Sequence, residues 1–287
     1  ENSMEEKFFQ PIEEKIRVIH NINSENVMTS PHFHDHYEIH FTLSYNVKFI
    51  IEDTIYYVPR GSIFAIQRFV PHITAVPDDA WFERYTVHIK PEIMEEIRVR
   101  FGIDYQDLFQ PPEGSPVCYM KLKKEEIPVL EEILNREVDS LKGSYYEDEL
   151  YQKIVLSEAL LYLLRIKHQD PRQRSEEYND ENGMLVKRIM EYISENITSE
   201  LNLDLLEKEF FINKYSITRV FKEYCGVTVN QYIVSRRIYQ ACELLKEKHT
   251  VSEVCELSGF SDYGHFIRTF KKHMGISPKQ YALQICE

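Results

Sequence analysis

The sequence predicts an α+β multidomain fold: an N-terminal β-barrel, a helical hairpin, and an all-α domain of two helix-turn-helix units. Three observations carry this. Short apolar stretches divided by turn residues fill residues 15–89, the apolar period becomes helical after Pro128, and a 17-residue pattern near the C-terminus recurs 49 residues later.

Tyr37–Leu43, Val47–Ile51, Ile55–Val58, Ile63–Ile66 and Trp81–Ile89 read as strands, and Ser44, Asn46, Asp53, Pro59, Gly61, Pro71 and Pro77 supply turns and breaks between them. Many short strands at close spacing suit a sandwich or barrel better than a parallel sheet with crossover helices. Residues 1–122 are assigned to this barrel.

Beyond Pro128 the residues Val129, Leu130, Ile133, Leu134, Val138 and Leu141 recur at helical spacing until Gly143 breaks the pattern. A second stretch, residues 147–167, carries Leu150, Ile154, Val155, Leu160, Leu161, Leu163 and Leu164. The two make an antiparallel hairpin, residues 123–168, which either covers the barrel or builds a homodimer; dimerisation through it is the expectation. Residues 169–183 hold Pro171, paired acids and almost nothing apolar, the composition of a linker, so the last domain is residues 184–287.

That last domain contains the repeat. Ser216–Tyr232 aligns with His265–Tyr281, matching Arg219 with Arg268, Phe221 with Phe270, Lys222 with Lys271, Gly226 with Gly275, Gln231 with Gln280 and Tyr232 with Tyr281. The glycines stop a helix where the backbone turns left-handed. Thr228 and Ser277 then cap the next helix, Gln231 and Gln280 complete capping boxes, and Pro278 takes the first helical position.

In the first copy Asn213 is the N-cap and Ile217, Val220, Phe221 and Tyr224 form the buried stripe, leaving Tyr215, Thr218, Arg219 and Lys222 on the other face. The second copy, capped by Ser261 or Asp262, buries Phe266, Phe270 and His273 and presents Arg268 and Lys271, with Tyr263, Gly264, His265 and Ile267 toward its start. Guanidinium, hydroxyl, aromatic and ammonium groups on one helix face are what base and phosphate recognition require, and Ile267 offers a surface for a thymine methyl.

The chain's net charge of −13 argues at first against nucleic acid, since phosphate contacts need Lys and Arg. The charge is uneven, however. From Met184 onward 14 Lys and Arg stand against 13 Asp and Glu, a net of +1, and the preceding residues carry −14. The 287 residues, 43% hydrophobic, suffice for two cores. Five widely spaced cysteines (Cys118, Cys225, Cys242, Cys255 and Cys286) form no C-x-x-C pair and read as reduced, mostly buried thiols. Glu1 to Ser3 read as an expression remnant ahead of a start at Met4. No apolar run reaches a membrane span and no signal pattern opens the chain, so a cytoplasmic protein with no membrane partner is expected.

Residues 184–283 resemble the DNA-binding domain of AraC/XylS-family bacterial transcription regulators. The pattern is carried by Arg237, Ala241, Leu244 and Leu245, by Val254, Cys255, Gly259, Phe260, Ser261 and Asp262, and by Phe266, Arg268, Phe270, Lys271, Lys272, Gly275, Ser277 and Pro278. The resemblance implies two recognition helices, joined by a long helix, in successive major-groove segments on one side of double-stranded DNA. The first unit departs from the family pattern, with Glu207 in place of a small alanine and Phe211 in place of the turn glycine.

His32-Phe-His34-Asp-His36-Tyr-Glu38, with Pro59-Arg60-Gly61 and Pro71-His72, is similar to the cupin motifs of this family's sensory domains. By that resemblance His32, His34, Glu38 and His72 would hold a metal in a metal cupin, a set suited to Zn, Mn, Fe or Ni, and residues 32, 34 and 38 share a strand face. Regulators of the family commonly keep such residues as hydrogen-bonding groups, so no cofactor is assigned and a small polar effector, a sugar or the like, is preferred. Trp81, on a strand face with Glu83 and Tyr85, either meets that effector with Tyr85 or closes the core. A regulator without catalytic residues is therefore expected. The rivals are a metal-dependent cupin enzyme or metal sensor fused to a DNA module, and an alkyl-accepting repair protein, the last discounted because no cysteine lies in a Pro-Cys-His-Arg context.

Overall fold

Alternation along the strands sets the architecture. In the computed structural model, which describes residues 8–22, 31–45, 47–75, 81–113, 115–140, 148–170 and 180–284, the strands are β1 Ile16–Ile22, β2 Tyr37–Thr42, β3 Val47–Ile51, β4 Thr54–Val58, β5 Ser62–Ile66, β6 His72–Ala75, β7 Glu83–Ile89 and β8 Cys118–Lys121. They pair antiparallel in two sheets, ordered β1-β7-β2-β5-β8 and β4-β3-β6. Met4, Asn46, Pro77, Leu141, Gly143, Pro171 with residues 172–179, and Cys286 lie outside the described residues.

The five-stranded sheet is buried on both faces. Its outward residues, among them Val18, Ile39, Phe41, Ile63, Tyr85 and Val87, pack under α1 (Pro91–Phe101), α2 (Ile127–Ser140) and α3 (Asp148–Gln169). The helical hairpin α2/α3 thus covers the barrel, one of the two roles open to it. Its far side leaves Val129, Leu150, Tyr151 and Ile154 exposed. Inward, Phe64 and Ile66 meet Val47, Phe49, Ile51, Tyr56 and Val58 of the smaller sheet, closing the apolar half of the barrel.

The smaller sheet turns its other face to the C-terminal domain. Ile50, Ile55, Ile73 and Ala75 share a core with Val186 and Ile189 of α4 (Glu181–Glu195), Phe221 of α6 (Lys214–Cys225) and Tyr232 of α7 (Val229–Lys246). A β-sheet face bearing isoleucines must be covered, and here the first helix-turn-helix unit covers it. Helix α4 starts inside the stretch read as linker, because the Asp180 side chain accepts a hydrogen bond from Gly183 N and caps it. The second unit packs α8 (Val251–Leu257), α9 (Tyr263–Met274) and α10 (Pro278–Gln284) against α7, and takes in Phe8 and Phe33 from the barrel side. No helix among the described residues is long and apolar enough to cross a membrane.

Several elements among the described residues escaped the sequence reading. Strand β1 has a mixed inner face (Arg17, Ile19, Asn21) that blurs its alternation, β6 and β8 are four residues each, and α1 is a short helix begun by Pro91. Cys118, Cys225, Cys242 and Cys255 are free and buried, as read.

Candidate nucleic-acid interface and ligand cavity

The two copies of the repeat fold alike. Asn213 caps α6, its side chain accepting from Tyr215 N at 2.9 Å, and Asp262 rather than Ser261 caps α9 by accepting from His265 N. Both helices stop at glycines with left-handed φ, Gly226 at 71° and Gly275 at 78°. The capping boxes form as well: Thr228 N donates to Gln231 Oε1 at 2.8 Å and Ser277 N to Gln280 Oε1 at 2.9 Å.

Ile217, Val220, Phe221, Tyr224, Phe266, Phe270 and His273 are buried, so the opposite faces are free for recognition. Tyr215, Arg219, Lys222, Tyr263, His265, Arg268 and Lys271 are exposed and Thr218 is half-buried, its hydroxyl donating to Lys214 O. Ile267 is the exception. It is partly buried against the core of the second unit, because position 267 sits beside the Phe266 and Phe270 stripe rather than opposite it.

The departures in the first unit have local explanations. Glu207 Oε1 accepts from Lys214 N at 3.2 Å and so ties α5 (Leu203–Phe210) to the first turn of α6. Phe211 holds the left-handed turn at φ 55° with 93% of its surface exposed. In the second unit the turn is Gly259, at φ 82°, where a Cβ would collide with the Ile197 carbonyl oxygen from the first unit. Arg237 donates to that same oxygen at 3.1 Å and to Ser199 O at 2.8 Å. Arg237 and Gly259 together lock the two units at one spacing.

Inside the barrel, the inner residues of β1, β2, β6 and β7 line a cavity of about 340 Å³: Arg17 and Asn21, Glu38 and His40, His72 and Thr74, Arg84, Thr86 and His88. His32, His34 and His36 complete it, as do Gln10, Pro11 and Ile12 of the N-terminal segment. Strand register grades the wall, since His88 stands opposite Arg17 and Glu38, whereas Arg84 stands opposite Asn21 and Thr42. One end is rich in imidazole and the other in guanidinium, amide and hydroxyl.

Glu38 is the hub of the imidazole end. Its Oε2 lies 2.8 Å from His34 Nε2, 3.2 Å from His72 Nε2 and 3.7 Å from His88 Nδ1. Burial would push its carboxyl up, but the surrounding imidazoles outweigh this and hold it well below the usual range. Burial brings the His34 imidazole down to about 4 and that of His88 to about 3, and lowers His32 and His40 as well. The structure thus brings together the sequence-predicted His32, His34, Glu38 and His72. Trp81 and Tyr85 do not join them. Trp81 precedes β7 and is 66% exposed, and Tyr85 points to the outer face of the sheet, where its hydroxyl donates to Asn135 Oδ1 at 2.7 Å. Sequence reasoning missed His36, His40, Arg84 and His88, although residues 36 and 40 share the parity of 32, 34 and 38 and residues 84, 86 and 88 alternate with buried apolar ones.

Two family models match this arrangement: the one described as AraC-like ligand binding domain over residues 15–164, and the one described as helix-turn-helix domain over residues 206–284. The chain belongs to the AraC family of transcription regulators. Within the family, HptR, a transcriptional regulatory protein of Staphylococcus aureus, is 29% identical over 108 residues, 38% of this chain and 42% of that protein. YdiP of Escherichia coli, an HTH-type transcriptional regulator, is 26% identical over 184 residues, 64% of this chain and 59% of its own length. The chain therefore spans between two fifths and three fifths of these AraC-type relatives. Apo ToxT of Vibrio cholerae superposes with a TM-score of 0.42 at 16% identity, covering 96% of this chain and 100% of that one.

Proposed function

We propose that this AraC-type protein binds specific double-stranded DNA through α6 and α9 and that a small ligand in the barrel cavity sets how firmly those helices are held. One observation carries the reading. His32 and His34 line the cavity, while Phe33 between them is buried in the core of the second helix-turn-helix unit, edge-on to Tyr239 of α7 with ring centroids 5.7 Å apart. A ligand that moves the two histidines moves Phe33 with them, and a ligand that binds the two positions with different affinity shifts the balance between them.

A second set of contacts holds the same two bodies together. Asp53, in the β3–β4 turn, accepts from Ser194 Oγ at 2.8 Å and from the Tyr232 hydroxyl, and pairs with Arg236 at 3.4 Å. The Lys48 ammonium lies 3.5 Å from the centre of the Tyr224 ring.

A monosaccharide-sized polar molecule suits the cavity, since Asn21, Thr86 and Arg84 offer donors and acceptors toward one end and Thr74 and Arg17 add more along its wall. The metal reading also has support in the donor chemistry: His32, Glu38 and His72 bring ligand atoms within 4.8 Å of one another, and His32 Nδ1 is buried with no hydrogen-bond partner among the described residues. A bound ion there would act as the sensed species. Homodimer formation through the exposed side of α2/α3 belongs to the same proposal.

Selection of bound sequences from a random duplex pool by the full chain tests the DNA half. We expect enrichment of two half-elements about one helical turn apart. Pools left unenriched, or enriched equally after Arg219→Ala and Arg268→Ala together, would sink it.

A further inference from the structure

Phe211 is held where an apolar side chain contributes nothing to the folded chain. It closes α5 in the left-handed region at φ 55°, with 93% of its surface exposed. Left-handed backbone is unfavourable for any residue with a Cβ, and so is a phenyl ring in water. Among the described residues the other non-glycines with positive φ are Glu52, Phe69 and Lys248. Glu52 and Lys248 are charged, and Phe69 is partly buried with the Lys246 ammonium 3.4 Å from its ring centre. Phe211, almost wholly exposed, has no comparable packing.

The direction of the ring is nonetheless fixed. Phe210 and Ile212 on either side are partly buried in the core of the first unit, and Phe210 lies edge-on to Tyr192 with ring centroids 5.7 Å apart. Across the turn Glu207 Oε1 accepts from Lys214 N at 3.2 Å. Anchored on both flanks and clamped across the turn, the backbone keeps the Phe211 side chain pointing outward, preorganised for a contact outside the domain.

The fold decides what lies outside. Phe211 stands two residues before Asn213, the cap of α6, and so within about 8 Å of it along the chain. Recognition helices enter the major groove with their first residues toward the base edges, and that groove is roughly 12 Å wide. Tyr215 and Arg219 continue the exposed surface along α6. A residue this close to the cap meets the edge of the groove, where the apolar feature that a base offers is the thymine methyl group.

We infer that Phe211 is a specificity-determining residue that packs its ring on a thymine methyl at the edge of the first half-element. The strain of the turn is the cost of aiming the ring. The inference rests on the reading of α6 as a recognition helix and adds an apolar contact to the polar ones on its face.

The test titrates the full chain, by fluorescence anisotropy, on the duplex it selects from a random pool and on copies in which each thymine in turn is replaced by deoxyuridine, which lacks only the methyl group. Wild type should lose about fourfold at one thymine of the first half-element, the effect of one methyl group left in water. Phe211→Gly should bind the selected duplex about tenfold more weakly and lose nothing further at that thymine. Phe211→Asn, which also tolerates left-handed backbone, should do the same and so separates loss of the ring from loosening of the turn. Neither variant removes a core contact, and unfolding midpoints at or above wild type establish that both are folded. Wild-type affinity in both variants would overturn the inference. So would weakened variants that keep the wild-type thymine profile, which would put the ring on sugar or phosphate. Unaltered binding of one copy, with loss of a second copy on a longer duplex, would place Phe211 between proteins and overturn it too. A wild-type chain that selects no sequence overturns the reading of α6 itself, whereas intact selection indifferent to Phe211 overturns this contact alone.

Discussion

Phe8 lies flat on His273, their ring centroids 3.7 Å apart and their planes within 4°. The stack joins the N-terminal segment to the end of α9, and Phe8 N donates to His273 O at 3.0 Å beside it. Two residues further on, Gln10 lines the ligand cavity. Phe8 is therefore a core residue of a domain to which it does not belong in sequence. Phe8→Ala should cost about 3–5 kcal/mol, the usual range for truncating a buried phenylalanine. Urea unfolding followed by circular dichroism measures it; a loss under about 1 kcal/mol would mean the segment does not hold α9.

The outward faces of α6 and α9 lead to separable losses on DNA. Arg268 is exposed, its nearest acid Asp262 4.0 Å away, and is free to swing to a base edge. Arg268→Ala should weaken the selected sequence by about 1–3 kcal/mol and relax preference at one position. Lys271→Ala should weaken all duplexes alike and lower the salt slope by about one. Anisotropy titrations at several salt concentrations separate the two. Equal losses on every sequence would remove Arg268 from base reading.

The C-terminal half was the more legible in sequence because its determinants are local. Caps, stop glycines and the stripe Ile217, Val220, Phe221, Tyr224 act within one or two helical turns, and each appears where the spacing puts it. Ile267 was misjudged because a residue next to the stripe is decided by neighbouring helices. In the barrel the strands rich in apolar residues were readable and β1 was not, since its inner face serves a polar cavity. Trp81 and Tyr85 share a face by parity, but parity does not say which face is inside. That is settled by α2 and α3, which cover the Tyr85 side. His88 could not be joined to His34 and His36 without the pairing of β7 to β2, a relation over 52 residues.

Gly259 fixes the distance between the two helix-turn-helix units. Alanine there would meet both a left-handed backbone and the Ile197 carbonyl oxygen, a backbone atom that cannot rotate away. Gly259→Ala should destabilise the DNA-binding half by more than about 2 kcal/mol and abolish selection of paired half-elements while single-element binding persists. Phe211→Gly is the converse case. It relieves a left-handed non-glycine at φ 55° and buries nothing less, so the first unit should gain about 1 kcal/mol. Thermal unfolding of the two variants should move in opposite directions, and movement in the same direction would refute the account of both turns.

Glu137 gives the protein a pH dependence of definite sign. Its side chain is buried in α2, and burial raises its carboxyl to about 8 from an ordinary 4.5. Between those values the folded chain keeps a proton that the unfolded chain has lost, so stability falls as pH rises from about 4.5 and levels off above about 8. The total is on the order of a few kcal/mol at about 1.4 kcal/mol per unit of separation. Glu137→Gln holds the neutral form at every pH. It should leave stability near pH 5 almost unchanged, raise it at pH 8, and flatten the slope between them. Denaturant midpoints measured at half-unit steps decide the matter: a variant whose slope matches wild type would show that Glu137 ionises without cost in the folded protein.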